Sequence, residues 1–260
     1  MVTIKKYKRA HIIETKMKTK FNILVSSIIL IFVLLATADG CKKDNNFING
    51  RTTAIFNPNK TYGSLTDQNG NVYKTITIGS QTWMAENLRA TRYRNGDAIP
   101  NVTDNDIWQN LNYGAYCNYN NTSSLDSIAT YGRLYSWLAV IDDRKIAPLG
   151  WHVPTYEEWL ILEAFLGDSI AGDKLKESGT LHWKAPNYGA TNETGFTALG
   201  GGYLHGNGFK HNSIEEAWWT TSLDSTAKYV FHVTIGYNYG VLGGCYCPKR
   251  DGYSIRCVKD

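Results

Sequence analysis

The chain begins with a leader segment that ends in a cysteine, so the folded domain is expected among the residues that follow it. Two lysines precede an apolar run from Ile23 to Ala36, and small residues lead from this run to Cys41. This is the layout of a secretory signal with its cleavage site. A spanning helix needs about 20 apolar residues, and this run is shorter, so a transmembrane anchor is the weaker interpretation. Residues 1–40 are therefore predicted to be a leader and signal peptide.

A cysteine directly after a cleavage site resembles the lipid-attachment site of bacterial lipoproteins. Lipidation of Cys41 would anchor the chain, because membrane affinity grows by about 0.8 kcal/mol for each buried CH₂. Residues 41–64 are polar and show no sustained periodicity, which is typical of a tether. We expect a protein of the cell envelope, held by lipid at the outer membrane, with exposure at the cell surface as one of two open alternatives.

The leader also accounts for the basic charge of the chain. The net charge is +4, but seven of the 27 Lys and Arg residues and only two of the 23 Asp and Glu residues lie in residues 1–40. The remainder has 20 basic and 21 acidic residues, a net charge of −1. Binding of nucleic acid requires a basic face that neutralises phosphates, and no such face is evident, so a nucleic-acid partner is not expected.

Local patterns predict one α+β domain over residues 65–260. The Asp67–Gly70 segment is a tight-turn signal, and alternation over Val72–Ile78 before Gln81–Met84 predicts a first hairpin. Short aromatic and β-branched runs predict antiparallel strands in the C-terminal half. These runs are Tyr229–Ile235, Tyr237–Leu242 and Tyr253–Val258.

Two or three short helices are predicted between the strand-rich parts. Thr155 and Glu158 have the spacing of a capping box, and Gly167 is placed to end the helix that follows. A third short helix is predicted around Ile170–Glu177. An earlier helix is predicted from four residues that share one face at helical spacing. They are Tyr131, Leu134, Tyr135 and Leu138.

Six sequence blocks occur in an order and spacing that resemble one known family. They are IGSQTWMAENLRATRYRNGDAIP (78–100), GWHVPTYEEW (150–159), GDKLKESGTLHW (172–183), TNETGFTALGGGY (191–203), WWTTS (218–222) and GYSIRCVKD (252–260). Together they resemble the Fibrobacter succinogenes major paralogous domain family, which is common among lipoproteins of Bacteroidetes-type bacteria. The resemblance implies a variant of the C-type lectin fold, of the kind seen in formylglycine-generating enzymes. It implies no activity, because fold and function separate readily.

The residues of these blocks do not form a recognisable catalytic or metal-binding motif, so no catalytic residue, metal site or cofactor is predicted. The Glu-Pro-Asn triplet of calcium-dependent lectins is absent, and the nearest string, Ala185-Pro186-Asn187, lacks the carboxylate that calcium prefers. Six tryptophans are too many for one binding site and are predicted to lie in the core. They are Trp83, Trp151, Trp159, Trp183, Trp218 and Trp219.

Residues 234–252 are the predicted binding region. Tyrosine with glycine and asparagine is typical of adaptable recognition surfaces, because tyrosine gives a large contact area at a small entropy cost. The predicted ligand is an extracellular protein or glycan, bound without catalysis, and the region is a candidate for diversification between related copies. An exposed hairpin without a ligand is the open alternative. The predicted ligand-binding residues are Tyr237, Asn238, Tyr239, Tyr246, Lys249 and Arg250.

The cysteines offer a competing function. With Cys41 lipidated, four remain, and an even number in an exported domain predicts two disulfides of open connectivity. The alternative is a thiol-dependent modifying enzyme or oxidoreductase that uses Cys245 and Cys247, by analogy with the copper-binding cysteines of formylglycine-generating enzymes. The spacing departs from that family, and its surrounding motif is missing.

Replacement of Cys41 tests the lipid anchor. Cys41→Ala removes the atom that would carry the lipid, so the protein should move from the membrane fraction to the soluble periplasm or medium. Fractionation followed by immunoblotting measures this. Retention of the variant on membranes after high-salt and carbonate washes would instead indicate a spanning helix.

Overall fold

The computed structural model describes residues 50–206 and 208–260, which have the predicted α+β architecture. These residues contain five α-helices rather than the two or three expected: α1 (Asn105–Gln109), α2 (Leu125–Tyr131), α3 (Trp137–Val140), α4 (Tyr156–Leu166) and α5 (Ala171–Leu175). Their strands are β1 (Gly63–Thr66), β2 (Val72–Ile78), β3 (Gln81–Met84), β4 (Tyr116–Cys117), β5 (Leu134–Ser136), β6 (Trp151–His152), β7 (Tyr203–His205), β8 (Gly208–Lys210), β9 (Glu215–Leu223), β10 (Tyr229–Gly236), β11 (Gly243–Pro248), β12 (Gly252–Tyr253) and β13 (Val258–Lys259). The strands form three antiparallel sheets, in the orders β1-β2-β3-β13-β6, β11-β10-β9 and β4-β5-β12-β7-β8.

The first hairpin forms where the sequence predicts it. Asp67 Oδ1 accepts hydrogen bonds from the N–H groups of Asn69 and Asn71 at 2.8 and 2.9 Å, which fixes the turn before β2. β2 pairs with β3, and on the other side of β3 the residue Val258 pairs with Trp83. The C-terminal strand β13 therefore lies between β3 and the edge strand β6.

Helix α4 confirms the predicted capping box. The Thr155 side chain accepts from the Glu158 N–H at 3.2 Å, and Glu158 Oε2 accepts from the Thr155 N–H at 2.8 Å. The helix ends at Gly167, which has a φ of 93°, in the region that favours glycine. The periodic face that carries Trp159 and Leu162 is buried.

The helix predicted from Tyr131 onward is wrong. Tyr131 ends α2, residues Leu134–Ser136 form β5, and a new helix begins only at Trp137. Gly132 interrupts the pattern with a φ of 78°, and a Cβ there would lie 2.5 Å from the Cβ of Asn87. Close approach of two backbones thus overrides the helical spacing. The short helix predicted after Ile170 is confirmed as α5.

The sheet β11-β10-β9 separates two hydrophobic clusters. Trp219 and Val230 belong to the first cluster and Trp218 and Val233 to the second, because neighbours along a strand point to opposite faces. Trp159 stacks on Trp218 with ring centroids 5.3 Å apart. All six tryptophans of the sequence blocks are buried, as predicted.

Residues 50–62, part of the expected tether, pack against the domain. The Thr53 hydroxyl lies 2.8 Å from Nε2 of the buried His182, and Tyr62 packs against the second hydrophobic cluster. The packed structure therefore includes residues on the N-terminal side of the predicted domain boundary. Residues 1–49, which include the predicted lipidation residue, lie outside the described residues.

The two predicted disulfides are not formed. Of the four cysteines in the described part of the chain, Cys117, Cys247 and Cys257 are buried, Cys245 is exposed, and all four are free. Burial raises the pKa of the Cys117 thiol to about 12. These buried thiols therefore act as small apolar side chains in the packed interior.

Glu216 of β9 is a buried carboxyl in the centre of the fold. Its Oε2 accepts from the Gly201 N–H at 2.6 Å and its Oε1 from Asn87 Nδ2 at 3.0 Å. Burial raises the pKa of this carboxyl to about 8, while these hydrogen bonds and Arg256 oppose the increase. The folded protein therefore holds a proton on Glu216 at pH values where the unfolded chain has lost it.

The free energy of unfolding should fall as the pH rises from 5 to 8. In this window the folded state binds the Glu216 proton and the unfolded state does not, so stability is lost by up to about 1.4 kcal/mol per pH unit. Urea unfolding of wild type and Glu216→Gln measures the difference between their pH profiles, with the exposed Asp143→Asn as the matched control. Parallel profiles for wild type and Glu216→Gln would contradict the prediction.

Candidate functional site

The predicted binding region consists of a strand, a pinned turn and a second strand. β10 ends at Gly236 and β11 begins at Gly243, so the strand predicted over residues 237–242 is wrong. The fully buried ammonium of Lys176 donates to the carbonyls of Gly236 and Tyr239 at 3.1 and 2.9 Å. These bonds hold the backbone in a turn, because a buried ammonium must keep its acceptors.

Two of the predicted binding tyrosines are held by this turn. The Tyr237 N–H donates to the carbonyl of Ile214 at 3.0 Å, and its ring packs against the second hydrophobic cluster. The Tyr239 hydroxyl donates to Glu215 Oε1 at 2.9 Å. Both tyrosines are half-buried, and Asn238 between them is exposed.

The remaining predicted residues lie apart from these two. Tyr246 lies within β11, and its exposed ring contacts that of Phe231 at a centroid distance of 5.2 Å. Lys249 Nζ donates to the carbonyl of Ala227 at 2.6 Å, and Arg250 is exposed after the strand ends. The six residues thus do not form one surface, and only Tyr239 joins a larger group of polar side chains.

That group, which we call the histidine face, lies where β9, β10 and β11 meet the β7-β8 hairpin. Its members are joined by hydrogen bonds and ring contacts around two carboxylates. Of these residues, the sequence predicted Tyr239 as a ligand-binding residue and Cys245 as part of the alternative thiol site, and it did not predict the others. The histidine face consists of Tyr203, His205, His211, Glu215, His232, Tyr239, Cys245, Asp251 and Tyr253.

Glu215 is the first carboxylate of the histidine face. Its Oε2 lies 2.7 Å from His211 Nδ1 and accepts from the Tyr203 hydroxyl at 3.2 Å. Its Oε1 accepts from the Tyr239 hydroxyl. One carboxylate therefore orients two tyrosines and an imidazole, and burial with the Glu215 charge raises the pKa of both tyrosines well above their usual range.

Asp251 is the second carboxylate and is almost completely buried. Its Oδ2 accepts from the Tyr253 hydroxyl at 3.0 Å and lies 3.1 Å from His205 Nδ1. The Tyr253 ring stacks on His232 at 4.7 Å. Burial lowers the pKa of His232, and its Nδ1 has no partner within the described residues.

Exposure differs sharply between the members of the histidine face. The side chains of His205 and His211 are 56% and 46% exposed, whereas Asp251 is 2% exposed. The buried Asp251 and the partly buried Glu215 thus hold exposed imidazoles in fixed orientations. Such a surface offers positioned hydrogen-bond donors and acceptors at a small ordering cost, which suits binding.

The thiols on this face are poor nucleophiles. Cys245 pairs with His232 across the strands, and partial burial together with the charges of Glu215 and Asp251 raises the pKa of its thiol. Burial raises the pKa of Cys247 further. Reactive and metal-binding cysteines need the opposite shift, because the thiolate is the reactive form.

A sequence signal for the histidine face exists but is weak. Three of the six histidines of the chain lie between residues 205 and 232, and Tyr203 and His205 alternate on one short strand. Nothing local shows that Asp251, some 46 residues away, is the partner of His205. Only the pairing of β12 with β7 brings them together.

The described residues contain neither a cluster of metal ligands nor a membrane-spanning helix. Within 50–206 and 208–260, no group of three or more His, Cys, Asp or Glu side chains is arranged to hold a metal ion. Over the same ranges, no helix combines the length and apolar character needed to cross a bilayer.

The protein is an α+β domain of three antiparallel sheets with short helices, and it carries an exposed group of polar side chains. The model of the Fibrobacter succinogenes major domain matches residues 76–259, which is most of the chain. The chain therefore belongs to that family, as its six sequence blocks indicated. No curated protein and no solved structure matches the chain.

Proposed function

We propose that the protein is a non-enzymatic, lipid-anchored binder of the cell envelope with a C-type-lectin-like fold. Its histidine face would bind an extracellular protein or glycan, and the predicted lipid on Cys41 would hold it at the outer membrane. The observation that carries the proposal is the pair of exposed imidazoles, each held by a carboxylate, whose two groups are linked by the Tyr203–Tyr253 ring contact.

The physical properties of the histidine face suit the binding of a polar ligand. Its tyrosine hydroxyls and imidazoles can form hydrogen bonds to a polar ligand, and its aromatic rings add contact area. Tyr203 and Tyr253 pack edge to face at 5.3 Å, so their rings are already ordered. Preorganised side chains lose little entropy on binding.

The competing proposal is the thiol-dependent enzyme based on Cys245 and Cys247. A thiolate at Cys245 or Cys247 would be disfavoured by burial and by two nearby carboxylates. The raised pKa values therefore favour the binder.

Alkylation rates separate these two proposals. Iodoacetamide should modify Cys245 at pH 7.5 several-fold more slowly than it modifies glutathione, because each unit of increase in pKa lowers the thiolate fraction about tenfold. Mass spectrometry of the full-length protein measures the rate, and Cys245→Ser assigns the signal. Modification faster than that of glutathione would support the enzyme.

Paired substitutions test the histidine face itself. The double variant His205→Ala/His211→Ala should lose at least about tenfold in affinity for at least one of the proteins or glycans that the wild type captures on an array, because interface anchors contribute about 2 kcal/mol or more. Its thermal midpoint should fall by a few degrees at most, because Asp251 keeps the Tyr253 hydroxyl as a donor and Glu215 keeps those of Tyr203 and Tyr239. Tyr246→Ala, on the opposite side of β11, is the matched control. Loss of binding in Tyr246→Ala alone would place the site on the residues predicted from sequence.

A further inference from the structure

We propose a second binding site, independent of the histidine face, that takes an uncharged sugar unit of a glycan. It is a cavity of about 300 Å³ between the turn Tyr119–Asn121 and helix α2, closed on one side by Asn212. This volume lies at the lower end of the range for small-molecule sites. Its walls include Tyr119, Asn120, Thr122, Ser127, Tyr131 and Asn212.

The lining of this cavity carries no formal charge. None of its residues is Asp, Glu, Lys, Arg or His. The two carboxylates behind Tyr131 already have partners, since Glu177 contacts His182 at 2.6 Å and Glu216 accepts from Asn87. A charged ligand would therefore find no counter-ion, whereas a neutral, hydroxyl-rich ligand would keep its hydrogen bonds.

Several polar groups on the walls have unused hydrogen-bonding capacity. Within the described residues, no hydrogen bond uses the Asn120 amide, the Ser127 hydroxyl or the Tyr131 hydroxyl. The neighbouring asparagines differ, because Asn118 Nδ2 donates to Thr122 and Asn121 Nδ2 donates to Thr103. An amide both donates and accepts, which matches a pair of adjacent sugar hydroxyls.

The aromatic walls are fixed before any ligand arrives. The Tyr131 ring packs edge to face on His182 at 5.6 Å, and the Tyr119 ring contacts Phe209 at 5.2 Å. Both tyrosines are half-buried, so each ring still has accessible surface. An apolar C–H face of a sugar can pack on such a ring without a large ordering cost.

A second cavity borders the same turn. It has a volume of about 150 Å³ and is lined by Asn121, Phe209 and Trp108, among others. Residues 119–121 thus contribute to both cavities, and the Tyr119–Phe209 ring pair lies between them. We infer that two consecutive sugar units bind better than one.

Binding of defined sugars to the full-length protein tests the site. The protein is held in a polyoxyethylene detergent that lacks a sugar headgroup, and the probes are the methyl glycosides of glucose, galactose, mannose and N-acetylglucosamine, with glucuronic acid as the charged analogue. Saturation-transfer NMR and calorimetry should detect at least one neutral glycoside. The disaccharide of that sugar should bind more tightly, and glucuronic acid at least about tenfold more weakly.

Asn120→Gly is the decisive variant. Asn120 has a φ of 50°, which glycine adopts readily, so this substitution removes the amide and keeps the turn. It should weaken glycoside binding at least tenfold, and Tyr131→Phe should weaken it several-fold. Ala227→Gly, at an exposed turn position with a φ of 54°, is the matched control and should bind like wild type. Circular dichroism and thermal midpoints confirm folding of each variant.

Two results would overturn the proposal: no neutral glycoside binds the wild-type protein, or Asn120→Gly binds the glycoside as tightly as wild type does. The double variant His205→Ala/His211→Ala should retain glycoside binding. The two sites are therefore tested separately, and failure of one leaves the other standing.

Discussion

The buried amide of Asn87 is the interaction on which the rest of the structure depends. It uses both of its functional atoms, because Nδ2 donates to three acceptors and Oδ1 accepts from two donors. Burial makes each bond important, since an unpaired polar group in a low-dielectric interior costs free energy. The partners are Tyr131, Glu216 and Ser254 as acceptors, and Trp218 and Arg256 as donors. One side chain thus joins the segment after the first hairpin, the end of α2, strand β9 and the C-terminal segment.

Both candidate sites are extensions of this network. Glu216 faces the interior toward Asn87, and alternation along β9 turns Glu215 to the histidine face. The Tyr131 carbonyl accepts from Asn87, while the ring of the same residue lines the sugar cavity. The exposed surfaces are therefore positioned by a buried scaffold whose polar atoms are already paired.

Sequence predicts the parts of this protein that local contacts determine. The capping box of Thr155 and the turn at Asp67 involve residues at most four apart, and both form as predicted. The turn after Gly236 was missed because Lys176, 60 residues away, determines it. Tyr237 was predicted to bind ligand from composition alone, and composition does not show that the fold packs its ring against a hydrophobic cluster. The histidine face depends on pairing between distant strands, which no local pattern encodes.

Substitutions in the buried scaffold and on the exposed surface differ in their cost to stability. Loss of a partner inside the Asn87 network leaves a buried polar atom such as Arg256 Nε unpaired, which typically costs about 1–3 kcal/mol. Substitution of an exposed side chain such as Asn120 removes no hydrogen bond within the described residues and usually changes stability by about 0.5 kcal/mol or less. Binding can therefore be altered at the surface while the fold is retained. A family of paralogous domains needs this property if its members are to recognise different ligands with one architecture.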